Sequence, residues 1–256
     1  MTLDTVSNFR ELGGLPTTDG GTVRTGRLFR SGHLGEASDA DVTHLARLDL
    51  GLVVDFRTDH DIEVDGPDRI PPGVRHVRAP IGDDAGRTSS IRELFNDPSR
   101  AAEVLGDGQA VAMILASYRR NATAEWCNDS YRTFFAELVA QDGAPVLWHC
   151  SAGKDRAGWA SCLVGFALGV ERDAIIENYL DSNRHRRIHA QGDRLIENGL
   201  DPEMVLPFIE VRREYVEASI AGAEEHWGDL ATYLRDGLGL TDTARARLRE
   251  HYVVQL

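Results

Sequence analysis

The chain has 256 residues, 42% hydrophobic and 27% charged, which is long enough for a full core and ordinary for a soluble globular protein. Its formal net charge of -13 argues against nucleic acid or an anionic membrane surface as the main partner, since both need a broad basic face. No apolar run approaches the ~18 residues of a membrane span, and Met1–Val6 carry no signal-peptide pattern, so the sequence predicts a cytoplasmic protein without integral membrane contact. Cys127, Cys150 and Cys162 show neither disulfide nor metal-ligand spacing, and each is expected to be free. There is no repeat, low-complexity tract or long linker, which predicts one domain over residues 1–256.

In chain order, the first apolar run, Arg27–Arg30, reads as a strand. Ser38 followed by Asp39 and Asp41 predicts a helix start, with the helix reaching about Asp49 and Gly51 ending the connection. Leu52–Arg57 and His76–Ile81 read as further strands. Residues 91–138 are helical in composition and interrupted at Gly106-Asp107-Gly108. Pro145–Cys150 is a nearly continuous apolar strand, as expected when helices cover both faces of a sheet. Ala157–Leu168 reads as a buried helix closed by Gly169, and Ile175, Ile176, Tyr179 and Leu180 share one helical face. The remainder, about 184–256, reads as all-helical, with Pro202 and Pro207 as breaks and Gly228, Gly237 and Gly239 as punctuation. The strand–helix–strand order predicts an α/β fold with a mostly parallel sheet of about four strands flanked by helices.

The segment His149-Cys150-Ser151-Ala152-Gly153-Lys154-Asp155-Arg156-Ala157-Gly158 carries the chemistry, and it contains Lys154, the one lysine among 28 Lys and Arg residues. A buried strand that turns into a helix through a short glycine-containing loop aims successive backbone N–H groups at one point, at the positive end of a helix dipole. Cys150 lies at the base of that nest, where N–H groups and cations favour thiolate over thiol. Arg156 offers a planar fork for two phosphate oxygens, and Lys154 adds a point charge expected at the rim. The predicted reaction is thiolate attack on phosphorus, a cysteinyl-phosphate intermediate, and hydrolysis by water. Cys127 and Cys162 do not fit, being followed six residues on by Thr133 and Leu168.

His149–Gly158 resembles the signature loop of Cys-based protein tyrosine phosphatases. Its Gly153-Lys154-Asp155-Arg156 core is similar to the bacterial atypical branch that includes tyrosine and lipid phosphatases of mycobacteria and Listeria. Asn8–Gly14, Phe29–Leu34, Val54–Arg57, Asn178–Asn183 and Tyr233–Leu240 resemble further blocks of that branch. The resemblance implies a tyrosine-phosphatase-like fold, Cys150 as nucleophile, Arg156 as phosphate clamp and Asp155 as general acid. Ser151, Ala152, Gly153, Lys154, Ala157 and Gly158 complete the phosphate-binding loop. No cofactor or metal is implied. Asp83 and Asp84 are rival acids, because a loop after Ile81 could overhang the site. One departure stands out: the family usually has Thr or Ser where this chain has Ala157, and a charge-assisted hydrogen bond is worth roughly 1.5–3 kcal/mol. Slower breakdown of the phospho-enzyme is the expected consequence, unless Ser151 supplies a substitute hydroxyl.

Around the loop, His149 is read either as a core histidine or as a support for the thiolate. Asp55 and Arg57 end a strand on the ligand-binding edge, as an ion pair or as substrate contacts. Arg10 and Arg30 are expected to brace the loop from behind. Arg184, His185, Arg186, Arg187, His189 and Arg194 form the one dense basic cluster, either a solvated helix face or a recruiter of polyanions. Residues 86–125 and 185–221 are long enough to cover the site as a lid. The expected partners are phosphorylated proteins, phosphotyrosine first, and phosphoinositides. Two rival functions remain at this level: a phosphate-binding protein without turnover, and cysteine chemistry of another kind, such as sulfur transfer or arsenate reduction.

Overall fold

The computed structural model describes residues 3–82, 94–184 and 186–255. Two short strands, β1 (Arg10–Glu11) and β2 (Thr22–Val23), precede β3 (Leu28–Ser31). Helix α1 (Asp39–Ala46) leads to β4 (Leu52–Asp55), α2 (Asp59–Asp65) and β5 (Arg75–Arg78). Three helices, α3 (Pro98–Leu105), α4 (Gln109–Thr123) and α5 (Glu125–Ala140), come before β6 (Val146–His149). Next come α6 (Arg156–Leu168), α7 (Arg172–Leu180), α8 (Arg186–Glu197), α9 (Pro202–Ile209) and α10 (Arg213–Trp227). A helical turn at Leu230–Thr232 runs into a π-helical turn, Tyr233–Gly237, ahead of α11 (Asp242–Tyr252) and β7 (Val253–Val254).

The fold is α/β, and the four predicted strands form the parallel body of the sheet. Its order is β1-β3-β6-β4-β5, with only β1 antiparallel. The antiparallel β1 makes five strands where four were expected. A two-stranded ladder pairs Thr22 with Val254 and Val23 with Val253, so the C-terminal region is not entirely helical. Two-residue strands carry no periodicity; they exist because distant segments meet. Pro202 does not break a helix but starts α9, where its missing N–H costs nothing and Asp201 caps the end. Helix α2 was not foreseen, although Thr58 and Asp61 form a capping box of the same kind as Ser38 and Asp41 on α1.

All four residues of β6 are buried, and α6 buries nearly its whole surface beside it. The two are joined by Trp148, whose Nε1 donates to Ala157 O at 3.2 Å and Ser161 Oγ at 3.1 Å. Of the segments expected as a cover, α3, the start of α4 and α9 gather around a separate apolar cluster that includes Leu105, Ala110, Leu200, Val205 and Ile209, whereas Tyr118 and Ala122 of α4 and Tyr215, Val216 and Ile220 of α10 belong to the main core. Among the described residues, no helix is long and apolar enough to cross a membrane.

Candidate active site

The parallel register brings Ser31, His149 and Asp55 side by side at the carboxyl ends of β3, β6 and β4. In open α/β sheets this edge is where ligands bind. The loop Cys150–Asp155 leaves it, and Asp155 occupies the N-cap of α6. The loop carbonyls are tied down from behind by the N-terminal segment. His33 N–H donates to Ser151 O at 2.9 Å and Asn8 Nδ2 to Ala152 O at 3.3 Å. Arg30 Nη2 donates to Gly153 O at 2.6 Å and to Lys154 O at 3.3 Å. Among the described residues, none of the N–H groups from Ser151 to Arg156 donates to a protein acceptor. Fixed carbonyls behind and uncommitted N–H groups in front are the geometry of an anion nest.

Gly153 is required for this path. Its φ is +70°, and a Cβ there would lie 2.3 Å from Ser31 O, inside the backbone of β3. Gly158 is also constrained, since a Cβ would meet Arg30 Nη2 at 2.9 Å and the Tyr179 ring at 3.2 Å.

Arg156 is held by contacts far away in the sequence. Its Nη1 donates to Asp61 Oδ2 at 2.6 Å, to Ile81 O at 3.2 Å and to Phe56 O at 3.3 Å. Its Nη2 reaches Ser151 Oγ at 3.4 Å. Burial disfavours the guanidinium charge, but the charges of Cys150 and Asp61 outweigh it and raise Arg156 above its ordinary pKa. Burial likewise opposes the charge on Asp61, yet Arg156 and the Thr58 cap lower its pKa to about 2. Cys150 is buried at the base of the loop. Cys162 is pushed up to about 12 by burial, despite Arg30 and Arg10 nearby, and stays an inert thiol.

Lys154 is not the rim residue expected. It is 7% exposed, and its Nζ lies 3.1 Å from Asp155 Oδ2 and 3.2 Å from Oδ1. A flexible stem lets the ammonium fold onto the neighbouring carboxylate rather than extend into solvent. Asp155 also accepts a hydrogen bond from the buried Tyr118 hydroxyl, which in turn accepts one from Tyr179 at 2.7 Å. Ala157 is fully buried, and the Ser151 hydroxyl faces Arg156.

Arg30 touches the loop directly, whereas Arg10 acts one step removed. Arg10 donates to Asn8 Oδ1, to Asn178 O at 2.8 Å and to Ser182 Oγ at 2.9 Å, and Asn8 carries the contact to Ala152. Behind His149 lies a buried ion network. The Arg57 guanidinium contacts both oxygens of Asp55 at 3.0 to 3.2 Å and Asp68 Oδ1 at 2.8 Å. Asp68 Oδ2 sits 3.0 Å from His149 Nε2 and 3.2 Å from His76 Nε2, and the Asp68 pKa is strongly lowered: burial works against its charge, but the two imidazoles and Arg57 outweigh it. Asp55, Asp68, His76 and His149 bring ligand-type atoms within 4.8 Å of one another. The Arg57 cation already pairs with both carboxylates, while the two His149 nitrogens and Asp68 Oδ2 make ion-pair contacts without a hydrogen bond. The Asp55–Arg57 pair is buried, with no surface to offer a substrate.

A sequence model of the tyrosine phosphatase family matches residues 1–254. The chain belongs to the tyrosine phosphatase family. A Cupriavidus necator protein named as a candidate tyrosine-protein phosphatase is 37% identical, over 99% of this chain and 88% of its own length. The Mycobacterium tuberculosis protein named triple specificity protein phosphatase PtpB is 32% identical, over 94% of this chain and 95% of its own length. A tyrosine-protein phosphatase of Nostoc commune is 29% identical over 59% of this chain and 46% of its own length. This phosphatase is therefore an enzyme acting on phosphorylated substrates, and the binding-only alternative finds no support among these relatives.

Around the candidate site lie contact residues that sequence reasoning missed: Asp61, Tyr118, Tyr179, Asn8 and Asp68. The Thr58-to-Asp61 spacing was a usable signal for a helix start, though not for contact with Arg156. Asp83, Asp84 and His185 lie outside the described residues, as do the side chains of Arg186, Arg187 and His189. Of the basic cluster, Arg184 is exposed and pairs with Asp181 at 3.0 Å, and Arg194 is exposed.

Proposed function

We propose that one catalytic domain spanning residues 1–256 hydrolyses phosphomonoesters through a cysteinyl phosphate on Cys150, without a metal or cofactor. The observation that carries this reading is the nest of uncommitted N–H groups from Ser151 to Arg156, above Cys150 and beside an Arg156 fixed by Asp61. The Cys150 thiolate attacks phosphorus, the new S–P bond forms as the bond to the leaving oxygen breaks, and Asp155 gives that oxygen its proton. In the second step Asp155 takes a proton from water, whose oxygen bonds to phosphorus while the S–P bond breaks and the thiolate returns. Arg156 and the loop N–H groups hold the equatorial oxygens throughout. Lys154 adds positive charge beside Asp155 for anionic substrates.

Phosphotyrosine is the leading substrate, followed by phosphoinositides and phosphoserine or phosphothreonine. The breadth is supported by the M. tuberculosis relative, whose name describes triple specificity. Phenyl phosphate turnover tests the chemistry: Cys150→Ser abolishes it, and a chelator leaves it unchanged. Residual turnover by Cys150→Ser, or loss on chelation, refutes the assignment.

A further inference from the structure

The Asp155 carboxylate is approached by two very different donors. Lys154 Nζ contacts both of its oxygens, at 3.2 Å to Oδ1 and 3.1 Å to Oδ2, whereas the Tyr118 hydroxyl donates to Oδ1 alone. A phenol has one proton. Tyr179 donates its own to the Tyr118 oxygen at 2.7 Å, so the Tyr118 proton is directed to Asp155. Tyr118 is anchored on every side. It is 3% exposed, its ring lies 5.4 Å from Tyr215 and 6.3 Å from Tyr179, and its carbonyl accepts from Ser219 Oγ at 2.7 Å. A rigid neutral donor therefore fixes one oxygen of a carboxylate that is otherwise partly open to solvent.

We propose that Tyr118 is a positioning residue for proton transfer: by engaging Oδ1 of Asp155 it assigns the transferable proton to Oδ2, and Tyr179 sets the direction of the Tyr118 hydroxyl. This rests on the reading of Asp155 as the general acid. An oxygen that accepts a phenolic hydrogen bond is the poorer proton carrier of the two, so protonation falls on Oδ2. Lys154, with three donors on a flexible stem, can transfer its contact from Oδ2 to an incoming phosphate and leave that oxygen free. After the proton departs, the Tyr118 bond remains on the carboxylate and holds it ready to accept a proton from water. Burial, and then the nearby Asp155 charge, raise both phenols above their ordinary range, so the pair acts as donors and not as acids.

Leaving-group dependence separates this role from a structural one, because a good leaving group departs without a proton and a poor one does not. In Tyr118→Phe, which keeps the ring, kcat/KM for phenyl phosphate is expected to fall about tenfold, while that for 4-nitrophenyl phosphate changes by less than about twofold. Asp155→Asn should show the same selectivity more strongly, and adding Tyr118→Phe to it should cost nothing more. Tyr179→Phe should act in the same direction with a smaller effect. Equal losses on both substrates in Tyr118→Phe, or a full loss retained on the Asp155→Asn background, overturn the proposal. If Asp155→Asn itself shows no selectivity, the general-acid reading falls and takes this inference with it. Selectivity in Asp155→Asn without selectivity in Tyr118→Phe overturns the inference alone. Should Tyr118→Phe fail to fold, equal slowing of both substrates in Tyr179→Phe has the same force.

Discussion

Asp61→Asn isolates the ion pair that fixes Arg156. The two groups meet at 2.6 Å with side chains 8% and 20% exposed, and Asp61 is lowered from 3.8 to about 2. A tenfold change in proton affinity is worth about 1.4 kcal/mol, so with some solvent screening the charge on Asp61 contributes about 2 kcal/mol to stability at neutral pH. A depressed folded pKa gives stability that is complete above the unfolded value near 4 and is lost as pH falls through about 2. Asparagine can still accept from Thr58 N–H and Arg156, so the substitution removes charge while keeping shape. Urea unfolding should find the variant about 2 kcal/mol less stable at pH 7, with the two proteins converging between about pH 4 and pH 2. The hydrogen bond that orients Arg156 would also lose its charge assistance, and kcat/KM on an aryl phosphate should fall about tenfold. A stability difference that is the same at pH 7 and at pH 2.5 would refute the reasoning, because then the Asp61 charge is not its source.

Two further substitutions probe the loop itself. Gly153→Ala places a methyl group 2.3 Å from Ser31 O at a φ of +70°, so the loop must shift. Activity and the protection by inorganic phosphate against thiol alkylation should both collapse, at a stability cost of about 1–3 kcal/mol; retained phosphate protection would show that the nest does not depend on this path. Ala157→Thr introduces a hydroxyl into a fully buried position at the start of α6. Burst kinetics should then show faster breakdown of the phospho-enzyme, and an unchanged steady-state rate would remove any importance from the missing hydroxyl.

Much of this protein could be read locally. The four parallel strands, the capped start of α1 and the strand–loop–helix passage around Cys150 follow from patterns a few residues long, because periodicity, capping and glycine placement are short-range physics. The same holds for the choice of Cys150 over Cys127 and Cys162, since only Cys150 ends a strand six residues before an arginine. What surrounds the loop was decided otherwise. Asp61 reaches Arg156 across 95 residues, Arg30 reaches Gly153 across 123, and Tyr118 reaches Asp155 across 37. These partners are set by the strand order, which determines which buried donors and acceptors must satisfy one another. Lys154 shows the limit most clearly. Its place in the loop was legible, but its burial beside an Asp155 that Tyr118 holds from 37 residues away is a result of tertiary packing, which no local pattern encodes.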